Sequence, residues 1–119
     1  MTKMSRFECN TTGFSMAFRN GVRISVQFGN GNYCSNRHKE HVHDLFSSRT
    51  AEIAIMPTDD KGGAAEWFDF GGDTVKGWVT TDEVALWIEA VSGVESFEAL
   101  QEARESMLQI MKMLTEEEE

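Results

Sequence analysis

The chain reads as an α+β domain, an antiparallel sheet of about five strands followed by two C-terminal helices packed on one face. Short runs of alternating apolar and polar residues recur between residues 13 and 79 of the 119. Such period-two alternation marks strands with one buried face. From Val84 onward the apolar residues switch to helical spacing. Strands in one block and helices in the next imply segregated layers, with the helices covering one side of the sheet.

A hairpin over residues 13–28 is the clearest element. Phe14, Met16 and Phe18 alternate with Ser15 and Ala17, and Val22, Ile24, Val26 and Phe28 alternate with Arg23, Ser25 and Gln27. Asn-Gly between the runs marks a reversal. A two-residue turn at Asn20-Gly21 would set Phe18 opposite Arg23 and Met16 opposite Ser25. A three-residue loop, Arg19-Asn20-Gly21, pairs Phe18 with Val22, Met16 with Ile24 and Phe14 with Val26. All the large apolar residues then share one face. A one-residue slip turns a whole strand over, so burial selects the longer loop. The expected geometry is a type I turn with Gly21 left-handed in a bulge.

The other elements follow in order. Residues 1–12 carry little pattern and suit a short leading strand or a mobile end. Residues 29–50 contain no convincing strand and only a weak helical tendency over 38–46. Loops this long are often functional or disordered. Residues 51–56 read as a third strand with Ile53 and Ile55 on one face, stopped by Pro57. Residues 58–63 form a turn-rich connection. Residues 66–70 read as a fourth strand, with Phe68 and Phe70 on one face and Trp67 and Asp69 on the other. Gly71-Gly72-Asp73-Thr74 would close a hairpin onto a fifth strand over 75–79.

Thr80 and Glu83 make a capping box, Thr80 as N-cap and Glu83 reaching back. Asp82 and Glu83 suit the positive end of the helix dipole. Val84, Trp87, Ile88 and Val91 form the buried stripe, and Gly93 the C-cap. Ser96 caps a second helix over 97–114, burying Phe97, Leu100, Met107, Ile110, Met111 and Leu114. Residues 1–115 form a single domain, and 116–119 an acidic tail.

The net charge of −9 argues against gripping a phosphate backbone. Direct nucleic-acid binding is therefore not expected. Acidity of this size serves solubility, and a sharper alternative is an acidic surface that imitates nucleic acid. No run approaches the ~20 apolar residues that span a bilayer. The N-terminal residues show no apolar signal core. No membrane association is expected. Two cysteines, Cys9 and Cys34, do not make a disulfide framework, and reduced thiols are the expectation.

Candidate chemistry concentrates after the hairpin. In Gly29-Asn30-Gly31-Asn32-Tyr33-Cys34-Ser35-Asn36, glycines allow close backbone approach and Asn30, Asn32 and Asn36 offer amide donors and acceptors. Tyr33 adds a stacking face and a hydroxyl. The plain alternative is a wide turn with Tyr33 and Cys34 tucked into the core. GxGxxG and the lysine-bearing phosphate loop are absent, and no cofactor is expected.

Cys34, His38, His41 and His43 are of metal-ligating type, with Asp44 beside them. Their spacing fits no strong metal pattern, and a solvated loop explains them as well. Cys34 beside a histidine could be a nucleophilic pair, though nothing supplies an oxyanion hole. Among Asp59, Asp60, Glu66 and Asp69, the first two read better as a turn. Trp67 and Trp78 fall on adjacent expected strands, facing away from Phe68 and Phe70, and an exposed aromatic pair marks an interface. Met107, Met111 and Met113 suit either core packing or a plastic contact surface.

The run Val26-Gln27-Phe28-Gly29-Asn30-Gly31-Asn32-Tyr33-Cys34-Ser35-Asn36 resembles a pattern in small uncharacterised bacteriophage proteins. Those carry an aromatic-Gly-x-Gly-Asn-Tyr-Cys-x-Asn segment and then an Ala-Glu-x-Ala strand, here Ala51-Glu52-Ile53-Ala54. They end in a Gly-Trp-x-x-x-Asp-Glu-Val helix start, here Gly77-Trp78 and Asp82-Glu83-Val84. The resemblance covers roughly residues 13–91. It implies a non-enzymatic accessory protein in the host cytoplasm. Such a protein would bind a host protein or sequester a small signal molecule, for example against a host defence. Two alternatives stand beside it. One is a self-associating assembly module, a homodimer included. The other is a metal-dependent enzyme using Cys34, His38, His41 and His43.

Overall fold

A computed structural model describes residues 5–41, 45–59 and 66–116. Five strands form one antiparallel sheet in sequence order: β1 (Arg6–Cys9), β2 (Gly13–Ala17), β3 (Val22–Gln27), β4 (Thr50–Pro57) and β5 (Lys76–Thr80). Helices α1 (Thr81–Gly93), α2 (Phe97–Glu102) and α3 (Arg104–Thr115) follow. The α+β expectation therefore holds, with helices packed against the sheet.

The hairpin takes the register selected by burial. Phe14 lies opposite Val26 and Met16 opposite Ile24. Phe18 N–H donates to Val22 O at 2.9 Å, and Gly21 N–H to Phe18 O at 3.0 Å. Gly21 has φ +88°, a region that costs a side chain but not glycine. Val22, Ile24 and Val26 face the core, and Arg23, Ser25 and Gln27 face the other way. Ile53, Ile55, Val79, Trp87, Val91 and Leu100 complete the apolar layer.

Three expectations need correction. Residues 66–70 are not a strand; the fifth strand is β1, in the leading segment. Phe68 N–H still donates to Ile55 O at 2.8 Å. The segment then turns its aromatics inward. Phe68 and Phe70 each stack edge-on against Trp87, at 5.8 and 5.2 Å between centroids. Filling the gap between sheet and α1 with these rings outcompetes further ladder bonds. Residues 71–74 consequently close no strand pair. Instead the Asp69 carboxylate accepts the Gly71 and Gly72 N–H groups.

Second, Gly93 is the last residue of α1 and not a left-handed cap, Val94 taking the cap position with extended backbone. The end of the helix is satisfied from a distance. Asn20 Nδ2 donates to Val91 O and Val94 O, both at 2.8 Å. Third, the second helix is two helices meeting at Ala103, whose φ of −93° and ψ of 10° depart from helical values. This rotates the distal half. Leu100 and Met111 remain buried, while Ile110 and Leu114, expected inside, are exposed.

The N-cap expectations stand, with one change. Thr80 Oγ1 accepts from Glu83 N–H, and Ser96 Oγ from Ala99 N–H. The Glu83 carboxylate does not reach back. It accepts from Trp87 Nε1 at 3.1 Å and faces Lys76 Nζ at 3.7 Å. No helix among the described residues is long and apolar enough to cross a membrane.

Candidate functional site

The loop leaving β3 is a scaffold knitted by its own asparagines. Asn32 Oδ1 accepts Gly29 N–H at 2.8 Å, and Asn32 Nδ2 donates to Glu52 Oε1 at 2.9 Å. Asn30 Nδ2 donates to Lys39 O. Asn36 is fully buried and donates to Phe28 O at 2.8 Å and Ser47 O at 3.0 Å. A buried backbone carbonyl left unpaired is costly, and one amide here satisfies two. The three asparagines expected to meet a ligand thus spend their amide N–H groups on the loop and its neighbours, while the buried Asn36 Oδ1 has no partner among the described residues.

Cys34 is also inside. Its thiol donates to Gly29 O at 3.5 Å, which takes it out of reach of a surface ligand. His38 and His41 are exposed, and His38 takes a left-handed φ of 69°. His43, Asp44 and Asp60 lie outside the described residues. Among the described residues, no three His, Cys, Asp or Glu side chains gather as metal ligands. Residues 38–41 and 45–46 form no α-helix.

What this scaffold presents outward is Tyr33. It is 42% exposed rather than tucked into the core. Arg37 lies over one side of its ring, Cζ 4.3 Å from the centroid, a cation–π contact. Arg37 Nη1 also donates to Gly31 O at 3.2 Å, which steadies the guanidinium. Trp78 stands beside Tyr33, with ring centroids 5.6 Å apart, and is 57% exposed.

Trp78 reaches that position through a distorted strand. Between β4 and β5, Ala51 pairs with Val79 and Ile53 with Lys76, so Gly77 and Trp78 together oppose Glu52. Such a bulge re-aims a side chain. Trp78 sits at φ +51°, a region that costs a bulky residue roughly 1–2 kcal/mol. The strained backbone is held by Trp78 N–H donating to Tyr33 O at 2.8 Å. Gly77 permits the approach, since a Cβ there would fall 2.7 Å from Tyr33 Cβ and 3.1 Å from Tyr33 O.

Trp67 does not join this cluster. It belongs to no strand, so the adjacent-strand pairing with Trp78 fails. It lines a groove of about 710 Å³ on the open sheet face with Arg23, Ser25 and Ala54. Of the expected partner-binding residues, the fold brings Tyr33 and Trp78 together and adds Arg37. Arg37 was missed because a lone arginine in a polar loop carries no signal. Its position four residues after Tyr33 was the only hint.

No family model, curated protein sequence or solved structure matches this chain. The surface must speak through its chemistry. It offers two aromatic faces and one guanidinium on a well-braced loop and a bulged strand. Aromatic residues and arginine are the types enriched where protein surfaces bind tightly.

Proposed function

We propose that this chain is a non-enzymatic bacteriophage accessory protein that acts in the host cytoplasm by binding a host protein through Arg37, Tyr33 and Trp78. One observation carries the binding surface. Trp78 is held in a strained left-handed conformation by a bulge while its indole stays largely exposed. Strain of this kind persists only where the surroundings over-determine it, and it clusters at functional positions. A glycine at position 78 would be easier to fold. The resemblance of the loop and strand motifs to bacteriophage proteins supports the host-cytoplasm setting, and with it interference in a host defence. The rings and the guanidinium are already positioned, so little side-chain entropy is lost on binding.

The test begins with the protein captured from host lysate by the purified chain. Its affinity is then measured against wild type, Tyr33→Ala and Trp78→Ala. Loss of either ring should weaken binding by at least tenfold, the effect of about 1.4 kcal/mol, while the circular dichroism spectrum stays unchanged. Equal affinity for all three proteins would sink the proposal.

A further inference from the structure

The sheet has two edges, and the fold treats them differently. On the β5 side, the Tyr33 carbonyl takes the outward Trp78 N–H, so the loop covers part of that edge. On the other side β1 is the last strand in the order, and its four residues are all exposed among the described residues. It carries no proline, and its pairing with β2 runs without a bulge. A regular edge left open among the described residues is a template for another strand.

The outward groups of β1 can be assigned from its register. Asn10 N–H donates to Gly13 O at 3.0 Å where the chain turns into β2. Antiparallel pairs alternate between exchanging both bonds and exchanging none. In the same register Glu8 opposite Ser15 and Arg6 opposite Ala17 are therefore bonded pairs. Phe7 and Cys9 then direct their N–H and C=O groups away from β2, outward. A symmetric antiparallel partner is centred either on one of these outward residues, which then bonds its own copy, or on a residue between two of them, whose outward neighbours then bond each other.

Charge decides among the centres: on Arg6 or Glu8, that charge would face its own copy, a destabilising like-charge pair. Centred on Phe7, Arg6 of each copy faces Glu8 of the other, Phe7 faces Phe7, and Ser5 faces Cys9. Centred on Cys9, Arg6 would face Thr12 and Glu8 would face Asn10, with no charge matched. Arg6 and Glu8 already lie 2.9 Å apart on one face of the strand. The Phe7 register would set two such pairs head to tail in an alternating four-charge cluster. Phe7 itself is 78% exposed, on the face that carries Met16 opposite it. Its ring would be covered by its symmetry mate.

We propose that β1 is a docking edge for a second copy of this chain, the two β1 strands pairing antiparallel about Phe7 so that two five-stranded sheets become one. The Arg37, Tyr33 and Trp78 surface lies at the far edge and is left free on both copies. The dimer and the partner-binding surface therefore stand or fall separately.

Sedimentation velocity over a concentration series reaching millimolar tests this on the full chain. The mass should rise to twice that of one chain. Phe7→Pro removes an N–H that points away from β2, at an edge position where proline is tolerated. It should stay single at every concentration, whereas Phe7→Ala should keep weakened association. Ser5→Cys supplies an independent readout that does not depend on how proline folds. The Cα atoms of a bonded antiparallel pair lie about 5.5 Å apart, within disulfide range. Mild oxidation should therefore link the thiol introduced at position 5 to Cys9 of the second copy, and adding Cys9→Ser should abolish the link. Three results would overturn the proposal. They are a single-chain mass for wild type throughout, association of Phe7→Pro equal to wild type, or cross-linking through Cys9 that does not need the Ser5→Cys change.

Discussion

Asn20 serves two elements with one side chain. Its Oδ1 accepts Val22 N–H at 3.0 Å and shapes the β2–β3 turn, while its Nδ2 closes the end of α1. Asn-Gly in the sequence announced the turn and was silent about the helix, because residues 20 and 91 meet only after the helix folds back over the sheet. Asn20→Ala should cost about 2 kcal/mol, since two helix-end carbonyls lose their donor; urea denaturation measures it, and a loss within error of zero would assign those carbonyls to water. Trp78 gives the complementary case. Ala and Gly at position 78 both remove the ring, but only Gly removes the left-handed penalty. Trp78→Gly should therefore be about 1 kcal/mol more stable than Trp78→Ala. If the two unfold together, the strain ascribed to this position is absent.

At the level of elements, the hydrophobic pattern identified β2, β3, β4 and α1, although β4 buries residues 53–56 on both of its faces. It misjudged residues 66–70 because Phe-Asp-Phe alternates whether the rings line a strand or plug a gap beside α1. The turn that follows depends on Asp69. The Gly71 N–H, then the Gly72 N–H, hold its carboxyl below the usual carboxylate range, with Arg104 adding to the effect. A carboxyl depressed in the folded state contributes stability above its unfolded pKa of about 4 and loses it as pH falls through the lower folded value. The melting-temperature gap between wild type and Asp69→Ala should thus be full at neutral pH and shrink steadily below about pH 4. A gap independent of pH would mean that packing, not the carboxylate, is what the substitution disturbs. The break between α2 and α3 had no sequence marker either. Alanine is the best helix former, so the departure at Ala103 comes from packing and not from local preference.

Across the whole molecule, 20 acidic residues face 11 basic ones. The ion pairs found among the described residues are few and largely exposed, such as Arg6–Glu8 and Lys112–Glu116, and such pairs contribute little. Self-repulsion should therefore dominate the response to salt. Shortening the screening length from about 30 Å to about 10 Å, by going from about 0.01 to about 0.1 M sodium chloride, should raise the melting temperature. A fall would show that local pairs outweigh the net charge.

The layer order, the hairpin register and the caps at Thr80 and Ser96 were determined by the sequence itself, because each depends on neighbours within a few residues or on a burial period that one strand or helix carries alone. The loop after β3 was legible as a place and not as a mechanism. Its asparagines looked like ligand-binding groups because an amide shows its donors without showing who takes them. Only the tertiary structure decided that Asn30, Asn32 and Asn36 brace the loop. It alone brought Trp78, far along the chain, against Tyr33, and left β1 as the edge strand, exposed among the described residues. Those outcomes depend on long-range closure and on the competition between burial and hydrogen bonding, which no local pattern encodes.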